Sequence, residues 1–113
     1  MEKLLNYQKA LREVLQSYLA GGTIPQDPDL ETQLLIDEEG NRYQILHLGW
    51  KNSENVFLVI FYFEIKDGKI WVHRNISDYD IIGDLEEKGI RKEDIVLAFH
   101  SPKMRPYTGY AVA

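Results

Sequence analysis

The stretch Val56-Phe57-Leu58-Val59-Ile60-Phe61-Tyr62-Phe63-Glu64-Ile65-Lys66-Asp67-Gly68-Lys69-Ile70-Trp71-Val72-His73-Arg74 decides the fold class. Asp67-Gly68 is a two-residue hairpin signal, because both central residues of a turn that matches strand twist need positive φ. Val56 to Lys66 is rich in β-branched and aromatic side chains and reads as a long strand. Lys69 to Arg74 reads as the strand that returns beside it, and so short a connection forces the pair to be antiparallel. The apolar run from Val56 to Phe63 is eight residues, well short of the roughly 20 that span a bilayer.

The same pattern extends upstream. Tyr43 to Trp50 reads as a strand, with Gly49 marking a bulge or a crowded neighbour. It is joined to the long strand by the turn Lys51 to Asn55. Before it, Leu30, Thr32, Leu34 and Ile36 alternate with Glu31, Gln33 and Asp37, giving a strand with one wet face that ends in the turn Asp37 to Asn41. Residues 2–20 carry Leu4, Tyr7, Leu11, Val14, Leu15 and Tyr18 at three- and four-residue spacing, the apolar stripe of a helix. Gly21-Gly22 reads as its stop, and Thr23 to Pro28 as a loop. Downstream, Asn75 to Asp80 is a polar connection. A second helix over about 80–88 follows, capped by Asp80 or Ser77 and stopped by Gly89. Ile90 to Asp94 turns, Ile95 to Phe99 makes a short strand, and Pro102 and Pro106 hold an irregular tail. The expectation is an α+β fold: an N-terminal helix, a four-stranded antiparallel meander, a short second helix and a short C-terminal strand or extended tail.

Two strands ask for cover on both faces. Tyr43, Ile45 and His47 lie on one side of the second strand, with Leu46, Leu48 and Trp50 on the other, and the third strand is apolar on both sides. An antiparallel sheet normally leaves one face wet. The helices suffice for one face and the C-terminal segment for part of the other. A second subunit is therefore expected as well, in a homodimer or another self-association.

At 113 residues, 44% hydrophobic and 12% aromatic, the chain has the size and composition of one domain, residues 1–113. Cysteine is absent, which excludes thiolate chemistry and disulfides and fits a cytoplasmic location. Glu2 and the polar–apolar alternation after it do not read as a signal peptide. A net charge of −5 disfavours generic DNA binding. The charge is uneven, however: Ile95 to Ala113 contains no acid but carries His100, Lys103 and Arg105.

Candidate chemistry is thin. Pro28-Asp29 followed by Glu64-Ile65-Lys66 has the spelling of the PD-(D/E)xK nucleases, in which two acids hold a metal and a lysine orients water. Lys66 abuts a hairpin tip, though, so solvated hairpin residues are the simpler reading. His47, His73 and His100 lack the spacing of a zinc site. Ser101 beside His100 has no nucleophile elbow around it. Trp50 and Trp71, with Tyr62 and Phe63, make a possible stacking platform for single strands, but without interleaved basic residues they read as core or interface. Neither catalytic residues nor a metal or cofactor site are expected.

Ile65-Lys66-Asp67-Gly68-Lys69-Ile70-Trp71, then Gly89-Ile90 leading into Lys92-Glu93-Asp94-Ile95-Val96-Leu97-Ala98-Phe99-His100-Ser101-Pro102, resembles the pattern of the XisI family. So does the close, Arg105-Pro106-Tyr107-Thr108-Gly109-Tyr110-Ala111-Val112-Ala113. The helix with Tyr7 and the His47-Leu48-Gly49-Trp50 stretch are also similar. The resemblance implies a small protein linked to programmed excision of the fdxN DNA element, acting with a companion called XisH while a separate recombinase breaks and joins the DNA. It supplies no catalytic residues to carry over. What it implies is a non-enzymatic controlling factor that works by binding a XisH-like companion. The candidate contacts are Trp50, Trp71, His100, Lys103, Arg105 and Tyr107, or the uncovered sheet face. The alternatives are weak direct DNA contact by the same tail and, least favoured, a metal-dependent nuclease.

Overall fold

The computed structural model describes residues 2–20, 27–77 and 79–113; the proposed Gly21-Gly22 helix stop and most of the following loop lie outside these. Helix α1 covers Glu2–Ala20, followed by strands β1 (Leu30–Asp37), β2 (Arg42–Lys51), β3 (Glu54–Lys66) and β4 (Lys69–Asn75). Helix α2 (Ile81–Glu87) and strand β5 (Ile95–Leu97) complete the regular elements, with single 3₁₀ turns at Lys92–Asp94 and Arg105–Tyr107. The sheet order is β1-β2-β3-β4-β5. The first three pairings are antiparallel, as expected of a meander, and β5 lies parallel to β4. Parallel pairing needs a crossover rather than a hairpin, and α2 supplies it. The α+β reading therefore holds, and the last strand proves to be part of the sheet. It stops at Leu97 rather than Phe99, because Ala98 and His100 turn back to donate to the carbonyls of Val96 and Leu97.

The turns follow the residue chemistry. Asp67 (φ 55°) and Gly68 (φ 73°) form the predicted hairpin. The turn expected over Lys51 to Asn55 is tighter, with Asn52 (φ 52°) and Ser53 (φ 68°) alone at its centre. Gly49 is the crowded neighbour and not the bulge: its φ is +138°, and a Cβ there would sit 3.3 Å from the Asp29 carbonyl. Asp80, not Ser77, caps α2, its carboxylate accepting from the Gly83 N–H at 2.9 Å.

The core lies between α1 and one sheet face. Leu11, Leu15, Phe61, Phe63, Ile70 and Val72 have no exposed surface. Tyr43 and Ile45 on β2, and Ile81 and Leu85 on α2, join them. The stripe predicted for α1 is the buried one, with Ala10 added and Leu4 at its margin. Two acid contacts, one buried and one half-buried, fix α1 to the second half of the chain. The Tyr7 hydroxyl donates to Asp94, which is 8% exposed and lies 3.1 Å from the Lys3 ammonium. Burial, reinforced by the adjacent carboxylate, pushes the Tyr7 phenol up to about 12. The Tyr18 hydroxyl donates to Asp84 of α2 in the same manner. No helix among the described residues is long and apolar enough to cross a membrane.

Candidate interaction face

Opposed residues in a sheet share a face, so the register defines the side away from α1. One row across it is Asp37, Arg42, Glu64, Trp71 and Val96; the next is Leu35, Gln44, Tyr62 and Arg74. Two further rows, Gln33-Leu46-Val59 and Glu31-Leu48-Phe57, lead to Trp50 at the far end of β2. Two irregularities shape this face. One lies between Ile45 and Leu46 and makes Ile60 the extra residue of β3; the other lies between Tyr62 and Phe63 and makes His73 the extra residue of β4. An extra residue reverses the alternation beyond it. The second irregularity is why His73 and Arg74, neighbours in sequence, both belong to the open side with Tyr62.

The face divides in two. Towards β1 and the β2–β3 turn it is apolar, with Leu35 42% exposed, Trp50 65% and Phe57 71%. Leu46 and Val59 fill the space between them. Towards β4 and the tail it is cationic. Lys66 and Lys69 oppose each other beside the hairpin tip, and Arg74 is exposed, its Nε donating to the Val59 carbonyl at 2.6 Å. Glu64 is the one acid in this half. It is held by His73 at 3.0 Å and by Arg42 at 3.9 Å. In a chain of net charge −5 this is a marked segregation. A shallow hollow lined by Phe57, Val59, Tyr62, His73 and Arg74 joins the halves.

The tail covers the β5 end of the face, as expected of the C-terminal segment. Ala111 bridges to Val96 and donates to the Ile95 carbonyl at 2.8 Å, and Val96 has no exposed surface. Arg105 pins the tail. Its guanidinium donates to the carbonyls of His100 (3.1 Å), Ala98 (3.5 Å) and Val112 (3.5 Å) while lying 5.6 Å above the Trp71 ring. Lys66 approaches the same ring at 4.1 Å. Trp71 and Arg105, two of the residues singled out in the sequence, are thus brought together but committed to internal contacts. His100, Lys103 and Tyr107 are free on the tail, Tyr107 being 83% exposed. Trp50 stands apart: the row that holds Trp71 crosses β2 at Arg42, and the strand from Arg42 to Trp50 spans roughly 26 Å.

The catalytic spellings do not assemble. Asp29 precedes the end of β1 that pairs with Gly49, whereas Glu64 pairs with Arg42 at the opposite end of β2. Roughly 20 Å of strand separates them, too far for two acids to share a metal. Lys66 is engaged by the Trp71 ring. His47 is buried against the Thr32 hydroxyl at 2.8 Å on the helix side, His73 is on the open side, and His100 is on the tail. Among the described residues no group of three His, Cys, Asp or Glu side chains is placed to hold a metal. Phe63, considered with Tyr62 as a stacking platform, is fully buried on the opposite face.

Residues 1–112 match the family model described as XisI protein. The chain belongs to the XisI family. Its fold superposes with a TM-score of 0.89 on the crystal structure of a XisI-like protein from Anabaena variabilis ATCC 29413, at 37% identity over 97% of this chain and 99% of that one. It superposes at 0.87 on the fdxN element excision controlling factor XisI from the same organism, at 32% identity over 98% and 99% of the two chains. The comparison with curated proteins gives no match. XisI-family membership thus covers both halves of the open face and the tail that borders it.

Proposed function

We propose that this chain is a non-enzymatic accessory factor controlling excision of a DNA element, of the fdxN kind, and that it acts in the cytoplasm by binding a XisH-type companion. The observation that carries the reading is the match over residues 1–112 to a family of which one solved structure is that of an fdxN element excision controlling factor. The geometry supports binding over chemistry. The nuclease-like residues are dispersed, and one sheet face offers exposed aromatic and aliphatic anchors next to a cationic strip. Interfaces draw most of their energy from a few such anchors, aromatic and arginine above all. Phe57, 71% exposed, and Arg74 contribute most to this surface; Arg74 also donates to one carbonyl, that of Val59, so Phe57 is the cleaner probe. Arg105 is unsuitable as a probe, because its loss frees three carbonyls and unpins the tail.

Co-purification and calorimetry with the purified companion test the reading. Phe57→Ser and Arg74→Glu are each expected to weaken binding by about tenfold or more, with the fold unchanged by circular dichroism. Wild-type protein that fails to bind the companion at micromolar concentration refutes it. Direct DNA contact is the second reading, and the cationic strip of Lys66, Lys69 and Arg74 is what favours it. With so few cations such binding is weak and falls steeply with salt; a gel shift at low salt that shows only free DNA excludes it.

A further inference from the structure

The sheet ends on two unequal edges. β5 is the short Ile95–Leu97, and Ala111 already bridges to it. β1 is an eight-residue edge that, among the described residues, pairs with β2 alone. A row of unpaired N–H and C=O groups on such an edge is a template for another strand, and single-chain proteins guard it with charged side chains, lysine above all, or with proline, a bulge or a short length. Of these β1 has only the acids Glu31 and Asp37. Its sequence Leu-Glu-Thr-Gln-Leu-Leu-Ile-Asp contains no Lys, Arg or Pro, and its register with β2 is unbroken from Leu30 to Asp37. Both irregularities of the sheet lie elsewhere.

We propose that β1 pairs antiparallel with β1 of a second copy, about a two-fold axis through Gln33, so that two sheets merge into one. A two-fold contact must be self-complementary, and opposed residues must share a face. The helix-side residues Leu30, Thr32, Leu34 and Ile36 therefore have to meet one another. An axis at Gln33 sets Leu30 against Ile36 and Thr32 against Leu34 on that side. On the open side it sets Glu31 against the exposed Leu35, with Gln33 facing itself. Within the paired span Leu30 to Ile36 no acid then opposes another; Asp37 comes opposite Asp29, which precedes the strand. An axis at Leu34 would oppose Glu31 to Asp37 twice, and like charges directly opposed destabilise a sheet. An axis at Thr32 would pair only Leu30 to Leu34 and leave Leu35 and Ile36 outside. The uncharged glutamine at the centre is what makes the strand its own partner. A foreign strand would gain most by placing cations against Glu31 and Asp37, and Asp37 is already met by Arg42 at 3.3 Å. The pairing is independent of companion binding and leaves the cationic strip on β4 uncovered.

The chain has no cysteine, so one introduced thiol reports the register. Opposed residues in antiparallel strands have Cα atoms about 4.5–5.5 Å apart, within the reach of a disulfide. Mild oxidation of Gln33→Cys is expected to give a linked dimer at twice the 13.2 kDa chain mass; Gln44→Cys, on the same face of β2, is expected to stay unlinked. Light scattering should give wild-type protein the mass of two chains at micromolar concentration. Gln33→Glu, which opposes two carboxylates at the surface beside Glu31, should weaken that dimer roughly fivefold without changing the circular dichroism. A monomeric wild-type chain overturns the proposal. So does a dimer that ignores Gln33→Glu and gives no Gln33→Cys link, which would assign association to another surface.

Discussion

Replacing Tyr7 with Phe removes one oxygen from the contact between α1 and the 3₁₀ turn before β5, and little else. The ring stays in the core, where Tyr7 is 7% exposed, so no cavity opens. What is lost is the hydroxyl that donates to the Asp94 carboxylate, leaving Lys3 at 3.1 Å on a side chain that is 53% exposed. A hydrogen bond to a charged group contributes about 1.5–3 kcal/mol. With Lys3 retained, Tyr7→Phe should cost about 2 kcal/mol, or a fall in Tm of roughly 8 °C for a chain of this size. The sign of the pH dependence follows from Asp94. Burial alone pushes its carboxyl up, but the bonds from Tyr7 and Lys3 outweigh burial and hold it below the usual carboxylate range. A depressed acid contributes stability that is present above its unfolded value, about 4, and is lost as pH falls through the folded one. Urea unfolding of wild type and Tyr7→Phe should therefore show the full gap at neutral pH and a shrinking gap below about pH 4. A difference under about 0.5 kcal/mol at neutral pH, or one unchanged in acid, refutes the reasoning.

Three smaller substitutions probe how local chemistry builds the frame. Ser53 sits at φ 68° in the β2–β3 turn, where a Cβ is disfavoured, so Ser53→Gly should raise stability by about 0.5 kcal/mol in thermal unfolding. Asp80→Ala removes the acceptor for the Gly83 N–H and should lower stability by about 1 kcal/mol, while Ser77→Ala should lower it less.

Much of the frame was legible because local signals agreed with one another. The Asp67-Gly68 turn set the β3–β4 hairpin, the three- and four-residue spacing set α1, and strand alternation set which side chains of β2 share a face. The parallel pairing of β5 was not legible. Nothing in Ile95 to Leu97 states which neighbour it joins; the crossover through α2 decides that. Of the two readings open at Gly49, a bulge or a crowded neighbour, the second holds. Glycine reports that a side chain does not fit, and the Asp29 carbonyl is what excludes one. The true irregularities fall at Ile60 and His73, where an extra residue carries no compositional mark.

Those two unmarked positions also explain why the candidate site was legible only in part. Read with strict alternation, His73 and Arg74 point to opposite sides, and basic residues do not interleave with the aromatics of β3. The irregularity at His73 changes this, placing Arg74 in the row of Tyr62 and His73 over Glu64. Basic and aromatic groups then alternate in space although they do not in sequence. The tail reads differently for a complementary reason. Its acid-free composition suggested a binding surface, yet Arg105 spends its donors on three carbonyls and its plane on Trp71, so part of that positive charge serves to seat the tail on the sheet. A surface assembled this way depends on backbone irregularity for its pattern and on an internal cation for its border. Substitutions at Ile60, His73 or Arg105 would therefore alter binding by moving the surface, whereas those at Phe57 alter only what the surface presents; Arg74, which also holds the Val59 carbonyl, would do some of both. Only substitution at Phe57 can distinguish recognition from folding.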